Sequence, residues 1–200
     1  MEDDTPAIRT TVTSSPYQAA QFINERASDR HEEGLIVGID TEWRECRQPD
    51  GHRCYKVAVL QLCVGRRCLV FQLYRANNKV PRELVDFLAD PAVRFVGVGV
   101  DGDVKRLAEH CNLKVASTVD LGGAAAATLG RPELKTAGLK SLALTVMGAR
   151  MEKPKRITIS NWAAETLTKQ QVNYACIDAY ASYEIGRRLL SGESIPPAQS

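Results

Sequence analysis

The amino-acid sequence predicts an α/β domain, a mixed β-sheet flanked by helices, and three observations carry that expectation. Three strand-like runs, LIVGIDTEW, YKVAVLQLCVG and RCLVFQL, follow one another across short, turn-forming links. Stretches of helical spacing then alternate with short apolar strand runs, and a long helical segment from about 168 to 190 closes the pattern. Short links favour antiparallel hairpins and helical crossovers favour parallel neighbours, so one sheet should contain both.

Taken in order, Ser15 followed by Pro16 starts a helix through YQAAQFINERA, because Ser accepts from orphan helix N–H groups and Pro is tolerated in a first turn. Pro49, Asp50 and Gly51 mark the link between the first two strand runs, and Gly65 the link between the second and third. PRELVDFLAD has helical spacing of Leu84, Phe87 and Leu88; RFVGVGV reads as a strand, DVKRLAEHCN as a helix and VASTVDL as a short strand. GAAAATLG and LKSLALTVMG are helical by composition. The expected layout is a flexible tail at 1–12, one domain at 13–190 and a polar tail at 191–200, without internal repeats.

Bulk properties bound the function. A chain of 200 residues, 44% hydrophobic and 25% charged, builds one domain with a proper core rather than two. The net charge of +2 does not describe a bulk nucleic-acid binder, so any such binding belongs to a local groove. MEDDTPAIRTT is no secretory signal, and there is no run of about 18 apolar residues to cross a membrane. The six cysteines form no CxxC pair and no zinc-like spacing, which predicts reduced thiols in or near the core and a cytosolic or nuclear setting.

Asp40 and Glu42 end the first strand run two positions apart, so they share one strand face, a costly placement unless something positive sits between them. Asp101 and Asp103 in DGDVKRL stand where a strand gives way to a helix, a place suited to N-capping. Tyr174 and Asp178, at i and i+4, lie on one face of the last helix. Singly, these read as a cap, an exposed helix charge and a core aromatic.

Together, D-x-E on a strand, an Asp at a strand-to-helix junction and Y-x-x-x-D on a C-terminal helix resemble the DEDDy class of 3′-5′ exonucleases. The chain resembles in particular the exonuclease domain of the Werner syndrome family and its short stand-alone plant relatives, over roughly residues 30–190. KVAVLQLCV, FVGVGVDGDVKRL and ISNWAAETLTKQQVNYACIDAYASYEI carry the resemblance around the acidic motifs. It implies a ribonuclease H-like, DnaQ-like fold, with Asp40, Glu42, Asp103, Tyr174 and Asp178 as catalytic residues and the four carboxylates as ligands of two Mg²⁺ or Mn²⁺ ions. Asp103 rather than Asp101 matches the motif, and Asn173 before Tyr174, in place of histidine, favours the tyrosine subclass. Carboxylate oxygens suit hard divalent ions, and two such ions both activate water and stabilise charge on a phosphodiester under attack. Tyr174, with an ordinary pKa near 10, is expected to orient the water rather than take its proton.

The implied substrate is the 3′ end of single-stranded nucleic acid, DNA or RNA, released as nucleoside monophosphates. Thr41, Lys105 and Arg106, with Lys153, Lys155 and Arg156 of MEKPKR, are candidate nucleic-acid contacts, with solvated surface charge the plainer reading of the cations. Alternation points Thr41 and Trp43 away from the metal face, so Trp43 is expected in the core or behind the ligands. Nothing identifies a contact to the 2′-hydroxyl that separates RNA from DNA, so an exoribonuclease that trims RNA stays open. A non-cleaving binding module and an assembly subunit with an incidental acidic cluster are the other readings. Some short plant members form ring-like homo-oligomers, which leaves a homo-oligomer open here.

Overall fold

The computed structural model describes residues 7–27, 34–193 and 195. Its centre is a six-stranded mixed sheet built from β1 (Arg9–Thr13), β2 (Leu35–Arg47), β3 (Arg53–Val64), β4 (Arg67–Phe71), β5 (Val93–Gly97) and β6 (Thr118–Asp120), in the order β1-β4-β3-β2-β5-β6. The two predicted hairpins are present: β2 pairs antiparallel with β3, and β3 with β4. The second closes through Gly65 at φ +57°, a conformation that an L side chain resists. β5 and β6 follow helical crossovers; β5 adds in parallel to β2 and β6 in parallel to β5.

Helices cover both faces. α1 (Pro16–Ala27), α2 (Arg82–Leu88) and α3 (Val100–Cys111) send Phe22, Ile23, Phe87, Leu88 and Leu107 against Leu35, Val37, Ile39, Leu60, Leu62 and Phe71 of the sheet. On the opposite face α4 (Leu121–Leu129), α5 (Leu139–Leu142) and α7 (Lys169–Leu190) enclose Val96, Leu121, Leu142, Ala181 and Ile185. A short α6 (Lys155–Thr158) precedes α7. LKSLALTVMG is helical as expected, but α5 widens into a π turn over Ala143–Met147. Among the described residues no helix is long and apolar enough to cross a membrane.

Three expectations are corrected. Residues 9–12, placed in the N-terminal tail, belong to β1, which pairs in parallel with β4 at the sheet edge; residues 1–6 lie outside the described residues. RTTVT is threonine-rich and polar on one face, so its periodicity is faint, yet β-branched residues suit an edge strand. At the other end, Glu193 ion-pairs with Arg187 and Ile195 packs on the α7-side core, so this part of 191–200 is docked. Finally, four cysteines are paired, Cys46 with Cys54 and Cys63 with Cys68, across directly opposed positions of the two hairpins, with Cα separations of 4.9 and 4.2 Å. Spacing along the chain conceals that cross-strand register; Cys111 and Cys176 are the free thiols.

Candidate active site

β2 outruns its parallel neighbour. Pairing with β5 ends at Gly38, and the strand continues through Asp40 and Glu42 against β3 alone, past the carboxyl end of β5 where α/β sheets place their sites. Gly38, Asp40 and Glu42 share the face turned to α7. A Cβ on Gly38 would collide with the backbone of Ala179 and Tyr183, so α7 lies directly on the strand two residues before Asp40. That close approach delivers Asp178: one ligand oxygen from each of Asp40, Glu42 and Asp178 lies within 4.8 Å of the others. The helix itself is fixed at its start by a capping box between Thr168 and Gln171.

Crowding three acids under partial burial moves their protonation. Burial, reinforced by the charges of Asp178 and Asp103, pushes Asp40 up to about 8, and burial with Asp40 and Asp178 pushes Glu42 up to about 9. Asp178 is raised by burial although Lys153 opposes the shift; Lys153 Nζ sits 2.6 Å from Asp178 Oδ2. The same pairing outweighs burial at Lys153 and raises its ammonium. Thr158 Oγ1 donates to the Tyr174 hydroxyl at 3.1 Å, that hydroxyl also bonds Asp178, and burial raises its pKa, so it stays protonated at neutral pH.

Asp103 stands outside this trio. It is buried in the first turn of α3, while Asp101 is exposed, and neither caps the helix, whose first residue is preceded by Gly99. Asp103 Oδ1 accepts from Thr41 Oγ1 at 2.6 Å, and Thr41 Oγ1 accepts from Trp43 Nε1 at 2.9 Å. Arg106 lies 3.8 Å from Asp103 and stacks on the Trp43 ring at 4.0 Å. Trp43 thus stands behind the acids through Thr41, partly exposed rather than core, and Thr41 holds a carboxylate. Asp103 remains close enough for its charge to raise Asp40.

The acids open into a cleft of about 780 Å³ between the β2–β3 hairpin, with Trp43, Arg44, Glu45 and Tyr55, and the turn through Thr158, Ile159, Ser160, Asn161 and Trp162; Lys153 and Tyr74 complete it. Of the basic candidates only Lys153 lines it. Lys105 is exposed beside Glu109 at 3.9 Å, Arg106 is engaged with Asp103 and Trp43, and Lys155 and Arg156 are exposed on α6 outside the cleft. Sequence reasoning missed Arg44, Tyr55, Tyr74 and Ile159. Arg44 alone left a signal, continuing the i, i+2 alternation of Asp40 and Glu42; the others come from segments brought in by the fold.

Oxygen ligands of this density, with Lys153 the one cation paired to them among the described residues, fit hard divalent cations. The family model described as 3′-5′ exonuclease matches residues 14–191. A 3′-5′ exonuclease of Arabidopsis thaliana is 33% identical over 95% of this chain and 64% of its own length. The bifunctional 3′-5′ exonuclease/ATP-dependent helicase WRN of Mus musculus is 34% identical over 94% of this chain and 13% of its own length. The chain therefore spans less than two thirds of either relative. The crystal structure of Escherichia coli RNase D, an exoribonuclease involved in structured RNA processing, superposes with a TM-score of 0.73 at 18% identity, over 92% of this chain and 44% of that one, a likeness of ribonuclease H-like fold.

Proposed function

We propose, from the premise that this chain belongs to the 3′-5′ exonuclease family, that it hydrolyses single-stranded DNA or RNA from the 3′ end with Mg²⁺ or Mn²⁺, releasing nucleoside monophosphates. The observation that carries the reading is the convergence of Asp40, Glu42 and Asp178 at one end of an open cleft. Asp40, Glu42 and Asp178 would hold divalent cation, with Asp103, kept in place by Thr41, available to a second ion. Bound cations supply water activation and charge neutralisation at the scissile phosphate and departing 3′ oxygen.

The protein's own groups have separable tasks. Tyr174, protonated and tied to Thr158 and Asp178, orients the attacking water through its hydroxyl. Lys153 neutralises Asp178, and with a cation held there its ammonium would be available to a substrate phosphate. α6 and the following turn hold Tyr174 from the side, through Thr158 and the Trp162 ring 6.0 Å away.

The test is a 5′-labelled strand, matched in DNA and RNA, incubated with Mg²⁺ or Mn²⁺. A ladder shortening by single nucleotides is expected for the wild type, and a loss of about 10³-fold for Asp40→Asn and Asp178→Asn, the scale of losing cation-based stabilisation. Folded variants that cut at the wild-type rate would sink the proposal, and a mobility shift without shortening would leave a binding module in its place. The polymer that shortens faster identifies the substrate.

A further inference from the structure

Four of the large apolar side chains left exposed, Trp43, Tyr55, Tyr74 and Ile159, line the cleft that holds the carboxylates. Exposed apolar groups gathered in one groove mark a ligand surface rather than scattered surface exposure. The Tyr55 side chain is 54% exposed and makes no hydrogen bond or ring contact among the described residues; Ile159, from the turn after α6, is 82% exposed and lines the same cleft. Neither side chain packs in the core, and each gains by being covered. Arg44, which lines the same cleft, spreads its guanidinium 4.1 Å above the Tyr74 ring. A guanidinium held flat on a ring and facing the cleft is preorganised for a phosphate. Glu45, the acid at this end of the cleft, is balanced by Arg53 at 3.4 Å.

We infer that Tyr55 and Ile159 grip a base upstream of the 3′-terminal nucleotide while Arg44, stacked on Tyr74, takes the phosphate beside it. The site rests on the exonuclease reading and says how that enzyme holds its strand. Along β2 the distance from Asp40 to Glu45 is about 17 Å, whereas stacked bases rise about 3.4 Å each, so the cleft has room for several nucleotides beyond the reacting one. Stacking and apolar contact discriminate little among bases, because every base offers a π face. The ligand is therefore an unpaired 3′ segment of any sequence, and a duplex end must fray before it enters.

The experiment measures kcat and KM on a labelled single strand of the polymer that is cut, intact or carrying one abasic residue at successive positions from the 3′ end. Tyr55→Ala and Ile159→Ser should each raise KM about 10-fold with kcat nearly unchanged, and Tyr55→Phe should restore it. Arg44→Leu should weaken binding and lower the salt dependence by about one counterion. An abasic residue at one upstream position should cost the wild type the same factor and cost Tyr55→Ala nothing more. Wild-type shortening with unchanged KM in Tyr55→Ala, or abasic and Tyr55 losses that simply multiply, would overturn the upstream site and leave the exonuclease standing. A wild type that shortens no strand would overturn the exonuclease reading first, and this site with it.

Discussion

Thr41 shows how much one hydroxyl can organise. Its Oγ1 donates to Asp103 and accepts from Trp43, so it sets a buried carboxylate and the indole behind it in one move. Thr41→Val keeps the shape and removes a hydrogen bond from each partner, so a loss of about 1–2 kcal/mol is expected by urea denaturation, with Thr41→Ser losing less. Lys153 is the complementary case, a cation set against acids. Replacing it by Met leaves Asp178 without its closest positive charge, at 2.6 Å. With Lys153 about a third exposed and Asp178 able to take a proton, the cost should be modest, about 1 kcal/mol. The decisive measurement is Tm of Lys153→Met with and without Mn²⁺: the deficit should shrink once a divalent ion replaces the ammonium, and a deficit independent of Mn²⁺ would refute that role.

The contact between β2 and α7 is the element on which the site depends, and Gly38 sets its distance. Gly38→Ala forces a methyl into the Ala179 and Tyr183 backbone, which cannot yield without lifting α7 from the strand. A loss of about 3 kcal/mol is expected, together with weaker cation binding, because Asp178 rides on the displaced helix; calorimetric titration with Mn²⁺ would show whether the two losses travel together. β2 itself was legible because a β-rich apolar run ended in alternating acids, and Tyr174 with Asp178 because helical spacing is a local rule. β1 was not, since its pairing with β4 joins residues 58 positions apart, Arg9 to Arg67. Nor was the irregularity between Glu42 and Trp43, where β3 carries an extra residue, Ala58, and the hairpin bends beside the acids. Cleft residues such as Tyr55 and Ile159 were invisible for the same reason: their role comes from a wall they form with distant chain, and alone each reads as an ordinary exposed side chain.

For the whole molecule, the clustered acids make stability, pH and cation one linked system. Asp40 and Glu42 keep their protons in the folded chain up to about 8 and 9, but in the unfolded chain they release them near pH 4. Between those limits the folded state binds more protons, so stability without metal must fall as pH rises and level off only above the folded values. Lys153 does not alter this window, because its raised ammonium stays charged throughout it. Cation binding must displace the retained protons, so affinity for Mg²⁺ or Mn²⁺ should climb as pH rises, by up to about 10-fold per unit for each proton released. Metal-free Tm should therefore decline from pH 5.5 to 9. The rise on adding Mn²⁺ should grow over the same range, reaching about 5–10 °C where the ion stands at about 100 times its Kd. Asp40→Asn should flatten both trends, since it removes the charge that Asp178 and Glu42 oppose and a carboxylate ligand with it. A metal-free Tm indifferent to pH in the wild type, or an Mn²⁺ shift of equal size at pH 5.5 and 9, would show that the three carboxylates titrate independently and do not form one cation site.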